Sequence, residues 1–369
     1  MARVVICLAL CLLGLAVSAP AGKLKVSTFD APGAGTGPGQ GTWALWTNPS
    51  GRTIGIYIDA NNANHGFLRA RDESFTTIDA PGAGGGSGQG TLAWGMNPEG
   101  TIAGTYVDPD NVAHGYVRTA RGRFTEFDAP GAGTGSYQGT WATDINWAGV
   151  INGYYVDANY VYHGYVRGPW GTLTEFDAPG AGTGPGQGTA IWQFADTINP
   201  AGAIAGFYFD ADYMIHSFVR TWAGTFTVFD APEAGTEPYQ GTEPWGINPA
   251  GAVTGSILDS NYVYHGYLRT PRGAFVVFDV HGAGTDPGEG TQAVGINPAG
   301  EITGLMIDAS GVGHGFLRAP HGTITVFDAP GAGTDLYQGT APQSINEAGV
   351  ITGGYVDASF VAHGFLWIP

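Results

Sequence analysis

The sequence predicts an all-β protein, a seven-bladed β-propeller of four-stranded blades whose ring is closed by the N-terminal strand completing the last blade. Three observations predict it. First, a Phe-Asp pair (Ile-Asp in one copy) recurs with its aspartate at Asp30, Asp79, Asp128, Asp177, Asp230, Asp279 and Asp328, at gaps of 49, 49, 49, 53, 49 and 49 residues. Histidines keep the same beat at His65, His114, His163, His216, His265, His314 and His363. Repetition at such a period decides the architecture before any single motif does. Second, each period divides into four short extended segments, A to D, the size of a propeller blade. Third, the ends are out of phase: Lys25 to Asp30 is a lone segment D, and the chain finishes after a segment C, His363 to Trp367. Seven complete sets exist only if the first strand completes the last blade, which also hides the open edges that favour aggregation.

The second copy shows how each element is read. Segment A, "GTLAWGMN", ends at Asn97-Pro98-Glu99-Gly100, with Asn first, Pro second and Gly fourth, as a type I turn requires. Segment B, "TIAGTYVD", is apolar on both faces, so it is expected to be covered on both sides. The loop "PDNVA" leads to segment C, "HGYVR", and a turn at Gly122 to segment D, "FTEFD". Helical spacing is absent after the leader, and β-branched and aromatic residues dominate the segments. This phase puts the B–C loops and the long D–A linkers on one face of the ring, the loop face. The A–B and C–D turns share the other.

Residues 1–21 read as a signal peptide: Arg3 supplies charge, Val4 to Val17 is apolar, and Ala19-Pro20-Ala21 fits a small-residue cleavage site. The run is shorter than the ~20 residues that span a bilayer, and Leu10 before Cys11 does not suit a lipoprotein. A secreted protein, extracellular or periplasmic, is expected, with residues 22–369 as a single propeller and no membrane insertion after cleavage. Both cysteines, Cys7 and Cys11, lie in the leader, so the mature chain has no disulfide or thiolate metal site. With 14 basic against 31 acidic residues, the chain repels nucleic acid and anionic membranes and favours cationic partners. Gly and Pro are abundant, at 63 and 23, but 43% hydrophobic content and fixed offsets mark them as turn residues rather than low complexity.

Seven Asp–His–Asp sets are brought to the same end of strands B, C and D: Asp59, His65 and Asp79; Asp108, His114 and Asp128; Asp157, His163 and Asp177; Asp210, His216 and Asp230; Asp259, His265 and Asp279; Asp308, His314 and Asp328; Asp357, His363 and Asp30. Such residues suit a divalent cation. They equally suit a structural hydrogen-bond lock, and sevenfold recurrence favours the lock, because every blade has to be held. "DPDNVAH" and "DADYMIH" begin like calcium loops but lack the later oxygen ligands, so Asx-type turns are expected and no cofactor. The Gly-rich linkers match no phosphate-loop pattern, and no nucleophile motif is present.

Departures from the repeat are the better guide to function. Tyr137, Tyr239 and Tyr337 replace Gly before Gln (Glu289 in the sixth copy) in three linkers, and later B–C loops carry Tyr160, Tyr162, Tyr213, Tyr262, Tyr264 and Phe360. Aromatic rings beside carboxylates suit sugars or a cationic or peptide ligand; packing between blades at the wide rim is the alternative. Four extra residues between Ala190 and Asn199 are expected to bulge strand A, displacing Trp192 and Phe194, and His281 with Asp279 and Glu289 forms a locally distinct group in the sixth copy.

The repeat "INPAGAIAGFYFDADYMIHSFVRTWAGTFTVFDAP", Ile198 to Pro232, and its six relatives resemble the HAF-type extracellular repeat of secreted bacterial proteins. The usual His-Ala-Phe is here His-Gly-Phe, His-Gly-Tyr or His-Ser-Phe. The resemblance implies an extracellular setting and a repeated β fold, and carries no reaction. The expected function is therefore non-catalytic binding of a carbohydrate, protein or other extracellular polymer by a monomer. An extracellular polysaccharide lyase or hydrolase, and a purely structural cell-surface protein, are the alternatives.

Overall fold

A computed structural model describes residues 25–191 and 196–369; the leader and the expected displacement of Trp192 and Phe194 lie outside the described residues. It contains 28 strands, β1 to β28 in chain order, and no helix among the described residues. In the first unit β2 (Gly41–Thr47), β3 (Thr53–Ile58), β4 (Asn64–Arg69) and β5 (Phe75–Ile78) form an antiparallel meander. The pattern repeats round a closed ring, each A strand joined to the C strand of the preceding unit by a single parallel bridge, such as Asn64↔Gly90. β1 (Lys25–Phe29) pairs antiparallel with β28 (Ala362–Ile368) from Lys25↔Ile368 to Phe29↔Gly364, and Gly41 bridges to Ala362. The ring is thus completed by its first strand.

The Gly-Thr dipeptide that opens every A strand makes these junctions. Gly139 has φ +111°, and a Cβ there would run into the carbonyl of Ala113 in the preceding unit. Its neighbour Thr140 is fully buried and its Oγ1 accepts the N–H of Ala129 at 2.9 Å; equivalent threonines do the same in all seven units. Thr140→Val leaves that buried N–H without a partner, so a loss of about 1–3 kcal/mol is expected by chemical denaturation. Thr140→Ser should recover most of it; a valine variant as stable as the parent would refute the assignment.

The core lies between neighbouring units. One cluster joins Ile54 and Ile78 of the first unit to Met96, Ile102 and Tyr116 of the second. The Phe of each Phe-Asp pair belongs to the same seam. Phe127 meets Tyr165 of the next unit edge-on at 6.1 Å, and the Arg167 guanidinium lies 4.7 Å over its ring. Arg69 over Phe29, Arg220 over Phe176, Arg269 over Phe229 and Arg318 over Phe278 repeat the stack, each worth roughly 0.5–2 kcal/mol. Where the repeat reads Ile78, Arg118 turns to Phe124 of its own unit at 6.0 Å. At the last seam Trp367 replaces the arginine and stacks on Phe327 at 5.5 Å.

The turns follow the sequence: Gly100 N–H donates to the Asn97 carbonyl at 2.9 Å, closing the A–B turn. Six of the seven A strands also carry a bulge that periodicity does not reveal, as between Ala142 and Asp144. The fourth differs. Among the described residues its strand β14 covers Gly188–Ala190, and a separate bridge pairs Ile198 with Ile204.

Candidate functional site: the loop face

The seven repeat histidines sit on the loop face in one environment. Nδ1 lies 2.8–3.1 Å from the carboxylate that follows strand D: Asp79 for His65, Asp128 for His114, Asp177 for His163, Asp230 for His216, Asp279 for His265, Asp328 for His314 and Asp30 for His363. Nε2 faces the B-strand carboxylate, at 3.4 Å for His216–Asp210 and 3.8 Å for His163–Asp157, with Asp59, Asp108, Asp259, Asp308 and Asp357 between these limits. In five units a tyrosine stacks on the imidazole, as Tyr106 on His114 at 4.9 Å. The B-strand aspartates also close Asx turns: Asp108 Oδ1 accepts the N–H groups of Asp110 and Val112, each at 2.8 Å. Nδ1 is thus hydrogen-bonded in every unit and Nε2 in two, those of His216 and His314, while the inner carboxylate oxygen closes the loop.

Three of these imidazoles and five of the B-strand carboxyls are shifted in opposite senses. The hydrogen bond that His114 donates to Asp128 lifts the imidazole above its ordinary value; burial opposes it, and the charges of Asp128 and Asp108 reinforce it. His163 and His216 are raised in the same way by Asp177 and Asp230. A raised folded value means stabilisation fully present below ~6.5 and lost as pH climbs through the raised value. For Asp59, Asp157, Asp259, Asp308 and Asp357, burial works to raise the carboxyl but is outweighed by hydrogen bonds, chiefly from backbone N–H groups, which hold it low. Their stabilisation is present above ~3.9 and lost as pH falls through the lowered value. A His114→Asn/His163→Asn/His216→Asn variant should therefore show a Tm deficit that is large at pH 6 and shrinks towards pH 9. A deficit independent of pH would mean that the imidazoles act only as neutral donors.

The aromatic departures occupy a second repeated geometry. At each junction the linker residue before Gln (Glu289 in the sixth unit) donates its N–H to a carbonyl in the B–C loop of the preceding unit: Tyr137 to Asn111, Tyr239 to Tyr213, Tyr337 to Gly311, and likewise Gly39 to Phe360, Gly186 to Tyr160 and Gly288 to Tyr262. Both members of every pair have left-handed backbones, with φ of 61–66° at the non-glycine positions. The seventh junction, Gly88 to Asn62, carries no aromatic residue and that of Tyr213 and Tyr239 carries two; in the other five an aromatic residue on one side faces Gly or Asn on the other. Tyr137, Tyr239 and Tyr337 are 77%, 57% and 79% exposed, so packing between units does not account for them. A left-handed conformation costs a side-chain-bearing residue about 1–2 kcal/mol, which glycine avoids. Tyr160, Tyr262 and Phe360 are less exposed and Tyr213 is half-buried; the three tyrosine hydroxyls cross to the carbonyls of Ser136, Pro238 and Pro185. Tyr213 and Tyr239 meet at 5.6 Å, and Tyr262 reaches the residue before Tyr239, so these three rings form one patch over the fourth and fifth units.

Two expectations are corrected. Tyr162 and Tyr264 are not loop-face residues: each opens a C strand and is half-buried, because alternation along the strand turns it inward. His281 is exposed and joins no cluster with Asp279, whose carboxylate is held by His265, or with Glu289, which accepts the N–H of Asp286.

The sixth copy is distinctive for a different reason. Gly313 stands where Tyr162 and Tyr264 open their C strands, and its missing side chain contributes to a cavity of about 390 Å³ between the sixth and seventh units. Such a volume lies within the ~300–1,000 Å³ of small-molecule sites. Tyr337 and Leu336 stand among its walls, Leu305 and Trp43 line it, and Glu289 and Gln338 supply polar groups. Gln338 is buried and its Nε2 has no partner. Gln240 in the fifth unit shares this state, whereas the corresponding amides of Gln40, Gln89 and Gln187 donate, as Gln89 does to Asn111. The sequence signal was a lone glycine within a glycine-rich chain, which spacing could not distinguish from a turn residue.

No protein-family model matches the sequence, and no curated protein matches it. Among solved structures, a lectin from Burkholderia pseudomallei is similar over 88% of this chain and 97% of its own, with 10% identity and a TM-score of 0.51. A puromycin hydrolase is similar over 90% of this chain but only 50% of its own, at 12% identity and a TM-score of 0.50. A lectin from Aleuria aurantia, described as a six-bladed β-propeller, aligns over 82% of this chain and 96% of its own, at 14% identity and a TM-score of 0.42. At these identities the likeness concerns the fold alone, an all-β closed ring.

Proposed function

We propose that this chain is a seven-bladed β-propeller of the HAF-repeat type, exported from the cell, that binds carbohydrate through the blade junctions of its loop face. The cavity beside Tyr337 is one subsite, and the patch of Tyr213, Tyr239 and Tyr262 is a second contact. The observation that carries this reading is the exposure of Tyr137, Tyr239 and Tyr337 on left-handed backbones where the repeat otherwise uses glycine. Side chains retained at a cost in strain and open to solvent point to a ligand rather than to the fold. Rigid aromatic faces stack on the C–H faces of sugar rings, while Glu289 and Gln338 offer an acceptor and a donor for hydroxyls. That lectins stand among the similar folds supports the reading without establishing a sugar.

The test is a glycan array followed by calorimetry on the best glycan, comparing the parent with Tyr137→Gly/Tyr239→Gly/Tyr337→Gly. Glycine fits the local backbone, so the triple variant should be no less stable, while glycan binding falls by at least about tenfold. Equal binding by both proteins, or no glycan retained by the parent, would sink the proposal.

A further inference from the structure

On the face opposite the loops, the A–B turns of all seven units surround an axial pit of about 440 Å³. Its wall is largely a collar of Ile145, Ile198, Ile247, Ile296 and Ile345, rimmed by prolines. The turn asparagines brace it: Asn146, Asn199, Asn248 and Asn297 each donate a side-chain N–H to the carbonyl of the next unit's asparagine, at 3.2–3.4 Å.

Two carboxylates interrupt this collar, and both are departures from the repeat. Asp144 occupies the place of Trp46 in the first unit and of Gly246 in the fifth, next to the strand bulge. Asp196 is delivered by the longer segment found only in the fourth copy. Asp144 accepts the N–H groups of Ile145, Thr197 and Ile198 at 2.7, 2.9 and 3.2 Å. Asp196 accepts the indole N–H of Trp46 at 2.8 Å. Among the described residues no Lys, Arg or His lines the pit, and Glu347 is the one other ionisable group in its wall.

Asp144 is buried and Asp196 partly so, and such an acid pair without a basic partner is costly unless a proton or a bound cation neutralises it. Burial raises both carboxyls above the usual range; repulsion from Asp196 adds to the effect at Asp144, and the Trp46 N–H opposes it at Asp196. A hard metal ion would need about six oxygen ligands, whereas this wall is mostly isoleucine and proline, and three backbone N–H groups already occupy Asp144.

We propose that the pit binds an organic cation, an amine or quaternary ammonium on an aryl or alkyl body. Its charge rests against Asp196 and Asp144 and its apolar part on Trp46, Trp147 and the isoleucine collar. Aromatic side chains and carboxylates together are the surroundings such cations favour. The site is independent of carbohydrate binding, which uses the other face.

Isothermal titration of the whole protein at about pH 8 with benzylammonium, benzyltrimethylammonium and uncharged benzyl alcohol tests it. The cations should bind at least about tenfold more tightly than the alcohol, and Asp196→Asn should weaken them by a similar factor. Asparagine can still accept the Trp46 N–H, and an unchanged Tm confirms the variant's fold. Near pH 6.5 binding should release protons, since a cation displaces the proton that otherwise neutralises the pair, and the heat should vary with the buffer. Tyr337→Gly should bind the cations like the parent. Equal affinity for benzyl alcohol, an unaffected Asp196→Asn variant, calcium binding in place of the amines, or no binding up to millimolar concentration would each overturn the proposal.

Discussion

Deleting residues 25–30 should cost at least about 5 kcal/mol and convert the protein from a discrete species into an aggregating one, followed by thermal unfolding and size-exclusion chromatography. The deletion removes the whole β1–β28 ladder, leaves Asp30 missing from His363, and strips Phe29 from its contacts with Phe67 at 6.1 Å, Phe75 at 5.9 Å and the Arg69 guanidinium. It also exposes β28 as an unpaired edge. The loss is topological as well as local, because among the described residues β1 supplies the five-residue antiparallel ladder that joins the two ends of the chain, leaving only the single Gly41↔Ala362 bridge without it. A permutant tests this directly: a short turn joins Ile368 to Lys25, already paired, and new ends are opened before Gly41. Its stability should return close to that of the parent. A deletion variant as stable and monodisperse as the parent would show that the ring does not depend on this closure.

Gly313→Tyr should abolish measurable binding of the preferred glycan at the cavity between the sixth and seventh units, a fall of at least about a hundredfold. The new ring takes the inward position that Tyr162 and Tyr264 take in their own units, filling the space bordered by Leu305, Leu336 and Trp43. A Cβ at this glycine first meets Leu305 Cδ1, the end of a flexible side chain, so the fold should accommodate the change within about 1 kcal/mol. Calorimetry and thermal denaturation on the same samples separate the two effects. Glycan affinity unchanged in a folded Gly313→Tyr protein would remove the cavity from the binding site and leave only the surface tyrosines.

Much of the architecture could be read from spacing. The recurrence of Phe-Asp and His, the Asn-Pro-x-Gly turns and the offset ends suffice for the strand count per unit and the closing strand. They also place B–C loops and D–A linkers on one face, where the seven imidazoles are found against their carboxylates. Other features were not legible because they depend on neighbours distant in sequence. The arginine at the end of strand C carries no sign in the sequence that it will stack on the phenylalanine of the preceding unit. Nor does Thr140 show that its hydroxyl will satisfy the N–H of Ala129 across a linker.

The candidate sites divide along the same line. By itself the sequence determined that Tyr137, Tyr239 and Tyr337 are departures, since a repeat defines its own expectation. Tertiary structure decided what the departures mean: the tyrosines are solvent-facing on left-handed backbones, Tyr162 and Tyr264 turn inward, and a missing side chain at Gly313 helps make a cavity. It also brought Asp144 of the third unit against the backbone of Thr197 in the fourth. Periodicity records how each unit is built, because strand alternation and turn chemistry are local. What lies between units is set by packing of surfaces from different copies, and both proposed sites lie there.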